Sequence, residues 1–431
     1  MFCKTVWNGM HILPDGYIRL CSLGTNSKME LDMQRARDKN GNVMHILTHS
    51  IEEIMNSDKH VEVRKNNITD VNQWSRHCEC CEIREKITNF DRTHPNKSRR
   101  IYLMDIETDD IVTEYNFKDI SNTGIIDWMP NSLDIRFGNL CNQKCVMCGP
   151  VFSNLWYDEY EKFYKKTTFG QGKIIKFSRD SKTNKWIDPP ELNWFEDPRW
   201  WEKFETMMPH LRHIYVTGGE PMITPAHDEM LDRLIKSNNA KNIWLEYDSN
   251  CSAINNKIIE RWGFFKKVHI RGSMDAANEQ YELIRYGGKW EKFKKNVIKL
   301  KELSIKSKGQ INLLSLTSCF QIPTMYSVID AEKFCNEIGV PFHLRFLEGP
   351  VFLSVSSISK ESKEELIEYY QQNKDKTTKH AMIINYLKNN LDKKFNKSVI
   401  ERYFQFMNFL DDSRKTDWKT TLPEVYKLLS I

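Results

Sequence analysis

Hydrophobic and polar positions alternate along this chain with two different periods. In its middle, short apolar runs alternate with amphipathic stretches, which is typical of repeated βα units. Six such units predict an incomplete parallel barrel, a partial (β/α)6 TIM-like fold of the α/β class. The expected strands are Leu133–Phe137, His213–Val216, Ile243–Tyr247, Val268–Ser273, Ile311–Thr317 and Phe342–Phe346, and the expected helices include His227–Ser237, Lys289–Leu303 and Tyr326–Ile338.

The segments on either side of this barrel have patterns of their own. Met10–Cys21 is typical of two short strands joined at the turn Pro14-Asp15-Gly16, and a helix with a start signal at Ser50 follows. In the last part of the chain, apolar residues recur every three or four positions, which predicts helices. We expect a small N-terminal Cys-rich α+β module at 1–100, the barrel at 128–350 and a C-terminal helical cap at 355–431.

A long insertion interrupts the barrel pattern at about residues 167–205, and it is rich in basic residues and tryptophan. Charge combined with stacking on Trp186, Trp194, Trp200 and Trp201 could bind a nucleic-acid strand. The alternative is that these tryptophans pack onto the barrel and the charges are solvated. We favour packing, because burial of aromatic side chains offsets the cost of ordering a long insertion.

The composition sets limits on the class of protein. The chain has 431 residues, of which 40% are hydrophobic and 28% charged, and its net charge of +5 gives no strong case for nucleic acid or an anionic membrane. No apolar run approaches a membrane span, and the first residues lack the features of a signal peptide. The expected location is the cytoplasm. There, 11 cysteines favour metal or cluster chemistry over a disulfide framework.

Three cysteines follow the first barrel strand in a C-x3-C-x2-C array: Cys141, Cys145 and Cys148. Three thiolates so close in sequence can ligate one corner of a small inorganic cluster, and they are one ligand short of the four that close a structural metal site. A zinc site here would need a fourth ligand. It would also leave the glycine-rich motif after the second strand unexplained.

Four further cysteines, Cys3, Cys21, Cys78 and Cys81, lie in the N-terminal module. Four is the usual number of ligands for a closed zinc or iron–sulfur site, and the spacing leaves both possibilities open. Cys80 could replace Cys78 or Cys81, or be a buried thiol.

Polar residues follow the other expected strands at the same end, where barrel enzymes have their active sites. Gly218-Gly219-Glu220-Pro221 follows the second strand, Asn250 the third, and Ser273 with Asp275 ends the fourth. Each has a structural alternative. Glu220 could be a capping carboxylate, Asn250 a turn residue, Ser273 a core hydroxyl and Asp275 the N-cap of the next helix.

These motifs together resemble the radical S-adenosylmethionine (radical SAM) superfamily. The similarity rests on Cys141–Cys148, which opens with Cys-Asn, on Gly218-Gly219-Glu220-Pro221 and on Ser273-Met274-Asp275. The N-terminal hairpin and cysteines are similar to the SPASM/twitch module, which carries auxiliary iron–sulfur clusters. That module more often follows the barrel than precedes it.

The resemblance implies a set of cofactor sites. The three cysteines would hold a [4Fe–4S] cluster whose fourth iron binds SAM, and the N-terminal cysteines would hold one auxiliary [4Fe–4S] cluster. Gly218 and Gly219 would let the backbone approach SAM, and Glu220 would accept a hydrogen bond from its ammonium group. The other implied SAM contacts are Met147 through its backbone, Asn250, Ser273, Asp275 and Arg285, the last being a carboxylate partner or a structural salt-bridge residue.

The implied function is reductive cleavage of SAM to a 5′-deoxyadenosyl radical that takes a hydrogen from a peptide or protein. An external flavodoxin- or ferredoxin-like electron donor would be its partner, with no membrane partner. One alternative is a radical SAM enzyme that acts on a nucleotide or carbohydrate. Another is a non-catalytic iron–sulfur or nucleic-acid-binding protein.

Overall fold

The computed structural model describes residues 4–21, 35–69, 76–78, 123–169, 175–373 and 377–430. Its strands are β1 Gly9–Ile12, β2 Ile18–Arg19, β3 Ser132–Arg136, β4 Lys144–Cys145, β5 Thr168–Phe169, β6 Ile175–Lys176, β7 Ser178–Arg179, β8 Trp186–Ile187, β9 His213–Thr217, β10 Trp244–Ser249, β11 Lys267–Ser273, β12 Arg285–Tyr286, β13 Ile311–Phe320 and β14 Phe342–Phe346. Its α-helices are α1 Lys4–Asn8, α2 Ile51–Met55, α3 Asp58–Thr69, α4 Tyr157–Tyr164, α5 Pro198–Met207, α6 Pro225–Lys236, α7 Asn256–Trp262, α8 Asn278–Ile284, α9 Trp290–Lys306, α10 Val328–Glu337, α11 Lys360–Gln372, α12 Thr378–Asn389, α13 Lys397–Arg414, α14 Trp418–Thr421 and α15 Pro423–Leu429.

The alternation of strands and helices predicted for the middle of the chain is confirmed. All six expected barrel strands are present as β3, β9, β10, β11, β13 and β14, and α6, α9 and α10 match the expected helices within a few residues. Strand β13 runs three residues further than predicted, to Phe320, because its alternation of buried and partly exposed residues continues.

The chain forms two compact units. The first comprises Met1–Leu140, Thr167–Tyr247 and Asn255–Val268, and the second comprises Cys141–Lys166, Asp248–Ile254 and His269–Ile431. In the first unit the strand order is β2–β1–β3–β9–β10, in which β2 is antiparallel to β1 and the other pairs are parallel. In the second unit the order is β11–β13–β14, and β13 and β14 are parallel. The parallel pairing is that of an α/β fold.

The sheet of the first unit has one apolar face and one polar face. Its register places Arg19, His11, Asp134, Tyr215 and Glu246 side by side across five strands. His11 Nδ1 lies 3.0 Å from Asp134 Oδ2, and both side chains are buried. The neighbouring positions on these strands face the other way and are buried and apolar: Met10, Ile18, Leu133, Ile214 and Leu245. One face of the sheet therefore carries polar and charged groups, and the other carries apolar ones.

The N-terminal hairpin and the insertion pack together within the first unit. Gly16 has φ of +73° at the predicted turn, and Trp194 of the insertion donates its indole N–H to the Pro14 carbonyl at 3.1 Å. Trp194 and Trp200 are buried, as the packing interpretation requires. The other two tryptophans are partly buried and are stacked by arginines: Arg179 lies 3.8 Å from the ring centre of Trp186, and Arg233 lies 4.7 Å from that of Trp201.

The C-terminal helices belong to the second unit, and α13 is the longest of them. Its N-cap Asn396 accepts a hydrogen bond from the Ser398 N–H, and the helix ends where Lys415 takes a left-handed conformation. The apolar residues that recur along this helix are buried at Tyr403, Phe406, Met407 and Leu410, and at its start Ile400 is buried and Val399 only partly so. No helix in the part of the chain described by the structure combines the length and apolarity needed to cross a membrane.

Candidate functional site

The cysteine array lies on a loop that begins the second unit and is tied down by a short β-ribbon. Cys145 is buried, and Cys141 and Cys148 are partly exposed. Strand β4 pairs with β12 so that Cys145 lies opposite Arg285, and the Val146 N–H donates to the Ile284 carbonyl at 2.8 Å. The backbone of the loop is thus fixed in its middle.

The environment of the thiols suits metal ligation. A hydrogen bond with Cys148 lowers the pKa of Cys145 to about 7, and the nearby Arg285 guanidinium acts in the same direction. The same hydrogen bond raises the pKa of Cys148 above its ordinary value. Because the thiolate is the ligating form, a thiol that ionises near neutral pH is ready to bind iron.

The three cysteines match the ligand set of an iron–sulfur cluster in number and type. In a [4Fe–4S] cube each cysteine ligates a different iron, so the ligands surround the cluster without meeting at a point. Three cysteines on one loop, one of which has a pKa lowered to about 7, match that chemistry.

Asp275 and Arg285 form a buried ion pair next to this loop. Asp275 Oδ2 accepts a hydrogen bond from Arg285 at 2.5 Å, and Asp275 Oδ1 accepts one from the backbone N–H of Cys319 at 2.8 Å. Although burial opposes it, the charges of Cys145 and Asp275 raise the pKa of Arg285 above its ordinary value. The pair therefore places a fixed positive charge opposite Cys145, which is the structural salt bridge considered for Arg285.

The suggestion that Asp275 caps the next helix is wrong. Asp275 has φ of +66°, and helix α8 begins at Asn278 with Ala277 at its N-cap. Both carboxylate oxygens of Asp275 accept hydrogen bonds from within the second unit. Ser273 is the last residue of β11 and is partly exposed. Contacts from these two residues to SAM stay predictions.

Asn250 stabilises a turn and also contacts the cysteine loop. Its Oδ1 accepts the Ser252 N–H at 2.9 Å, and its amide group donates to Asn142 Oδ1 at 2.8 Å. Asn142 in turn donates to the Ser252 hydroxyl at 2.7 Å. The residue after Cys141 is thus held by two polar contacts to the turn after β10. Sequence reasoning noted Cys-Asn as a motif but did not find this partner. Met147 is partly exposed on the same loop.

The turn Gly218–Glu220 lies in the first unit, directly after β9. Gly218 has φ of +125°, which favours glycine, and a Cβ atom at Gly219 would overlap the Leu140 carbonyl oxygen. The Glu220 N–H donates to that oxygen at 2.8 Å. The buried Glu220 carboxylate accepts the Met222 N–H at 3.3 Å and so caps the short helix Pro221–Ile223. The capping role is observed, and the contact to SAM stays a prediction.

The predicted auxiliary site is described only in part. Cys21 follows β2 and Cys78 ends a single helical turn, Arg76–Cys78; both cysteines are partly exposed. Cys3, Cys80 and Cys81 lie outside the described residues. Convergence of the four cysteines stays a prediction.

One group of charged residues in the second unit was missed by sequence reasoning. Glu159, on α4, is buried and accepts hydrogen bonds from Arg414 at the end of α13 and from Lys144 in the cysteine loop. The chain separation of Glu159 and Arg414, 255 residues, leaves no signal in the sequence pattern.

Two family models match the chain. Residues 135–317 match the radical SAM superfamily, and residues 3–82 match SPASM, an iron–sulfur cluster-binding domain. The first range includes the cysteine loop, Gly218–Glu220, Asn250, Asp275 and Arg285. Among curated protein sequences, none matches this chain.

Several solved structures resemble parts of the chain. Streptococcus suis SuiB bound to precursor peptide SuiA is 15% identical, with a TM-score of 0.34 over 56% of this chain and 45% of that one. The protein anSMEcpe with bound AdoMet and Cp18Cys peptide is 19% identical, with a TM-score of 0.34 over 56% and 60% of the two chains. Kitasatospora setae TsrM with tryptophan and aza-SAM is 11% identical, with a TM-score of 0.32 over 51% and 38%. This chain thus spans less than two thirds of the length of each structure, and likeness at this level carries no information on the substrate.

Proposed function

Because this chain belongs to the radical SAM superfamily and carries a SPASM iron–sulfur domain at its N-terminus, we propose that it cleaves SAM reductively and abstracts a hydrogen from a peptide or protein. The two matches confirm the predicted enzyme family, its α/β fold and its cofactor classes, SAM and iron–sulfur clusters. They also favour a cluster over zinc in the N-terminal module. The activity and substrate of this chain are the proposal.

The observation that carries the proposal is the cysteine loop itself. Three thiols lie within eight residues, and the pKa of Cys145 falls to about 7 beside Cys148 and Arg285. When bound there, a [4Fe–4S] cluster supplies the electron that splits SAM into methionine and a 5′-deoxyadenosyl radical. Cys141, Cys145 and Cys148 are its proposed ligands.

The protein's own residues would bind and orient SAM. Gly218 and Gly219 present backbone without side chains, so the methionine part of SAM could approach closely. The buried Glu220 carboxylate would accept a charge-assisted hydrogen bond from the SAM ammonium, with Asn250 and Ser273 as further polar contacts. Asp275 and Arg285 would act through Cys145, by fixing the strand on which it lies.

The peptide part of the proposal rests on the SPASM domain, since relatives with this module most often modify peptides. A nucleotide or carbohydrate is the alternative small substrate. The nucleic-acid alternative has less support, because Trp194 and Trp200 are buried and the two partly exposed tryptophans of the insertion are stacked by the protein's own arginines.

The reaction class is tested on protein reconstituted anaerobically with iron and sulfide. We expect about eight irons per chain, loss of about half in Cys141→Ala, and 5′-deoxyadenosine formation with dithionite and SAM. Cys335→Ala is the matched control, because Cys335 is buried on α10 and should leave the iron content unchanged. Absence of 5′-deoxyadenosine would contradict SAM cleavage. Iron near four with bound zinc would contradict the auxiliary cluster.

The substrate class is tested by deuterium transfer. Extracts of cells grown in heavy water are separated into a peptide fraction and a fraction of nucleotides and sugars, and each is incubated with the reconstituted enzyme. We expect deuterated 5′-deoxyadenosine from the peptide fraction. Deuterium transfer from the small-molecule fraction alone would contradict the peptide substrate while leaving SAM cleavage intact.

A further inference from the structure

Glu159 is a buried carboxylate of the second unit that accepts four hydrogen bonds. Arg414 donates to its two carboxylate oxygens from Nε at 3.1 Å and Nη2 at 2.7 Å, and the Glu159 and Arg414 side chains are each 1% exposed. Lys144 Nζ adds a third contact at 2.7 Å, and the Ser413 hydroxyl a fourth at 3.2 Å. Burial alone would raise the pKa of Glu159, but the hydrogen bonds from Arg414 and Lys144 hold it below its ordinary value.

Arg414 also contacts Tyr286, which lies on strand β12 of the ribbon that holds the cysteine loop. Its guanidinium carbon lies 4.9 Å from the ring centre of Tyr286, and its backbone carbonyl accepts the Tyr286 hydroxyl at 3.2 Å. Tyr286 pairs with Lys144 across the ribbon. Lys144 Nζ, in turn, lies 5.2 Å from the same ring centre. The last residue of α13 thus reaches Lys144 through Glu159 and through Tyr286.

The position of Lys144 gives these contacts a consequence for the cysteines. Lys144 directly precedes Cys145, so restraining its side chain and its backbone partner restrains the loop from Cys141 to Cys148. Trp156, which precedes α4, belongs to the same group: the Arg414 guanidinium carbon lies 5.0 Å from its ring centre, and Phe406 of α13 stacks on it with ring centres 6.1 Å apart. The C-terminal helix, the helix after the loop and the loop itself form one packed group.

We propose that Arg414 is a positioning residue for the cluster loop, acting through Glu159, Lys144 and Tyr286. This inference rests on the proposed function, since it assigns the loop to the SAM-binding cluster. The C-terminal helical segment then has a role beyond packing, because α13 fixes the position of the backbone that carries the cluster ligands. Partners of this kind, one step removed from the ligands, commonly change metal affinity by about 10- to 100-fold when removed.

A conservative substitution can separate the charge of the Arg414 guanidinium from its two-pronged hydrogen bonding. Lysine keeps the charge but cannot make two parallel hydrogen bonds to a carboxylate, so Arg414→Lys removes the geometry and retains the electrostatics. Arg402→Lys is the matched control. Arg402 lies on the same helix and stacks 4.0 Å from the ring centre of Phe163 on α4, but it donates its hydrogen bond to Gln405 rather than to Glu159.

The test has two readouts. In the cluster-free protein, amide hydrogen exchange of residues 141–149 reports the loop independently of any activity. In the reconstituted protein, the rate of iron loss to a chelator and the electron paramagnetic resonance spectrum of the reduced cluster report its ligation. Arg414→Lys and Glu159→Gln should each speed exchange of the loop, speed iron loss about tenfold or more, and change the spectrum. Arg402→Lys should match the wild type.

Wild-type exchange, iron loss and spectra in folded Arg414→Lys and Glu159→Gln proteins would overturn the inference. Equal changes in the Arg402→Lys protein would also overturn it, because they would assign the effect to general packing of α13 on α4. Should the wild type bind no cluster, the proposed function fails, while the exchange measurement still decides whether Arg414 holds the loop. Circular dichroism verifies that each variant is folded.

Discussion

The turn at Gly218–Glu220 and the cysteine loop are built by opposite means. The turn is held by backbone: Gly219 leaves no room for a side chain against Leu140, and the Glu220 N–H bonds the same carbonyl. The loop is held by charged side chains, Arg285 with Asp275 and Arg414 with Glu159, that come from distant parts of the second unit. The turn, which is held by backbone contacts, tolerates almost no added atom. The loop, which is held by buried ion pairs, tolerates almost no loss of charge.

Removing one charge from the loop's support should have the largest effect. Asp275→Asn leaves the buried Arg285 without its counter-charge, and removing one partner of a buried pair typically costs about 3–5 kcal/mol of unfolding free energy. Asparagine tolerates the left-handed backbone at this position, so the change isolates the charge. Urea unfolding of the cluster-free protein measures the loss.

The matched control is Glu282→Gln, which removes a carboxylate from the exposed pair with Lys289 and should cost about 0–1 kcal/mol. Equal losses in the two variants would show that burial does not distinguish the pairs.

Acid should weaken a further kind of support in the first unit, a buried neutral histidine on the helix that follows the turn. His227, two residues into α6, is buried, and its pKa falls to about 4 through burial, with Asp228 opposing and Arg261 assisting this shift. Its Nε2 lies 2.7 Å from the Tyr247 hydroxyl. On acidification, His227 takes up a proton in the unfolded chain before it does so in the folded chain. The contribution of neutral His227 to the unfolding free energy is therefore complete above pH 6.5 and is lost as the pH falls toward about 4, by roughly 3 kcal/mol in all.

His227→Gln should flatten the dependence of unfolding free energy on pH between pH 6.5 and about pH 4. The exposed His210→Gln should leave the wild-type slope unchanged. For Glu159 the sign is the same but the pH window is lower, because its lowered pKa keeps its full contribution to stability above the ordinary value of 4.5, and that contribution is lost as the pH falls below it. A wild-type slope in His227→Gln would refute the assignment.

Adding one methyl group to the turn at Gly219 should lower the unfolding free energy by somewhat less than removing the charge of Asp275. Gly219→Ala forces a Cβ against the Leu140 carbonyl, and overpacking of this kind costs about 1–3 kcal/mol. It should also abolish SAM binding measured by calorimetry, if the turn contacts SAM as proposed. Gly149→Ala, next to Cys148, meets no atom within 4 Å and should be neutral in both measurements.

The smallest contrast lies in the N-terminal module. Gly16 and Gly41 have similar positive φ, +73° and +82°, so alanine strains both by about 1 kcal/mol. A Cβ at Gly16 would also meet His45 and lie 2.8 Å from Trp194, whereas at Gly41 it meets nothing within 4 Å. Thermal unfolding should therefore show a larger loss for Gly16→Ala. Equal losses would mean that the insertion yields to the added atom.

The features that could be predicted from the sequence are those built from neighbouring residues, and the features that could not are those built from residues far apart in the chain. The six barrel strands, the Pro14-Asp15-Gly16 turn and the cysteine array depend on neighbouring residues, and their patterns are legible locally. Glu159 with Arg414, and Asn142 with Asn250, depend on side chains 255 and 108 residues apart that only the folded chain brings together. The cap assigned to Asp275 failed for a related reason, because the left-handed turn at that residue delays the helix to Asn278.

The long separation of Glu159 and Arg414 also has a consequence for biosynthesis. At about 5–20 residues per second, roughly ten seconds to a minute pass between synthesis of these two residues. During that interval the three thiols are already made, but the arginine that anchors their loop is not. We expect iron inserted before Arg414 has been made to be lost readily, so stable cluster assembly should follow synthesis of that residue.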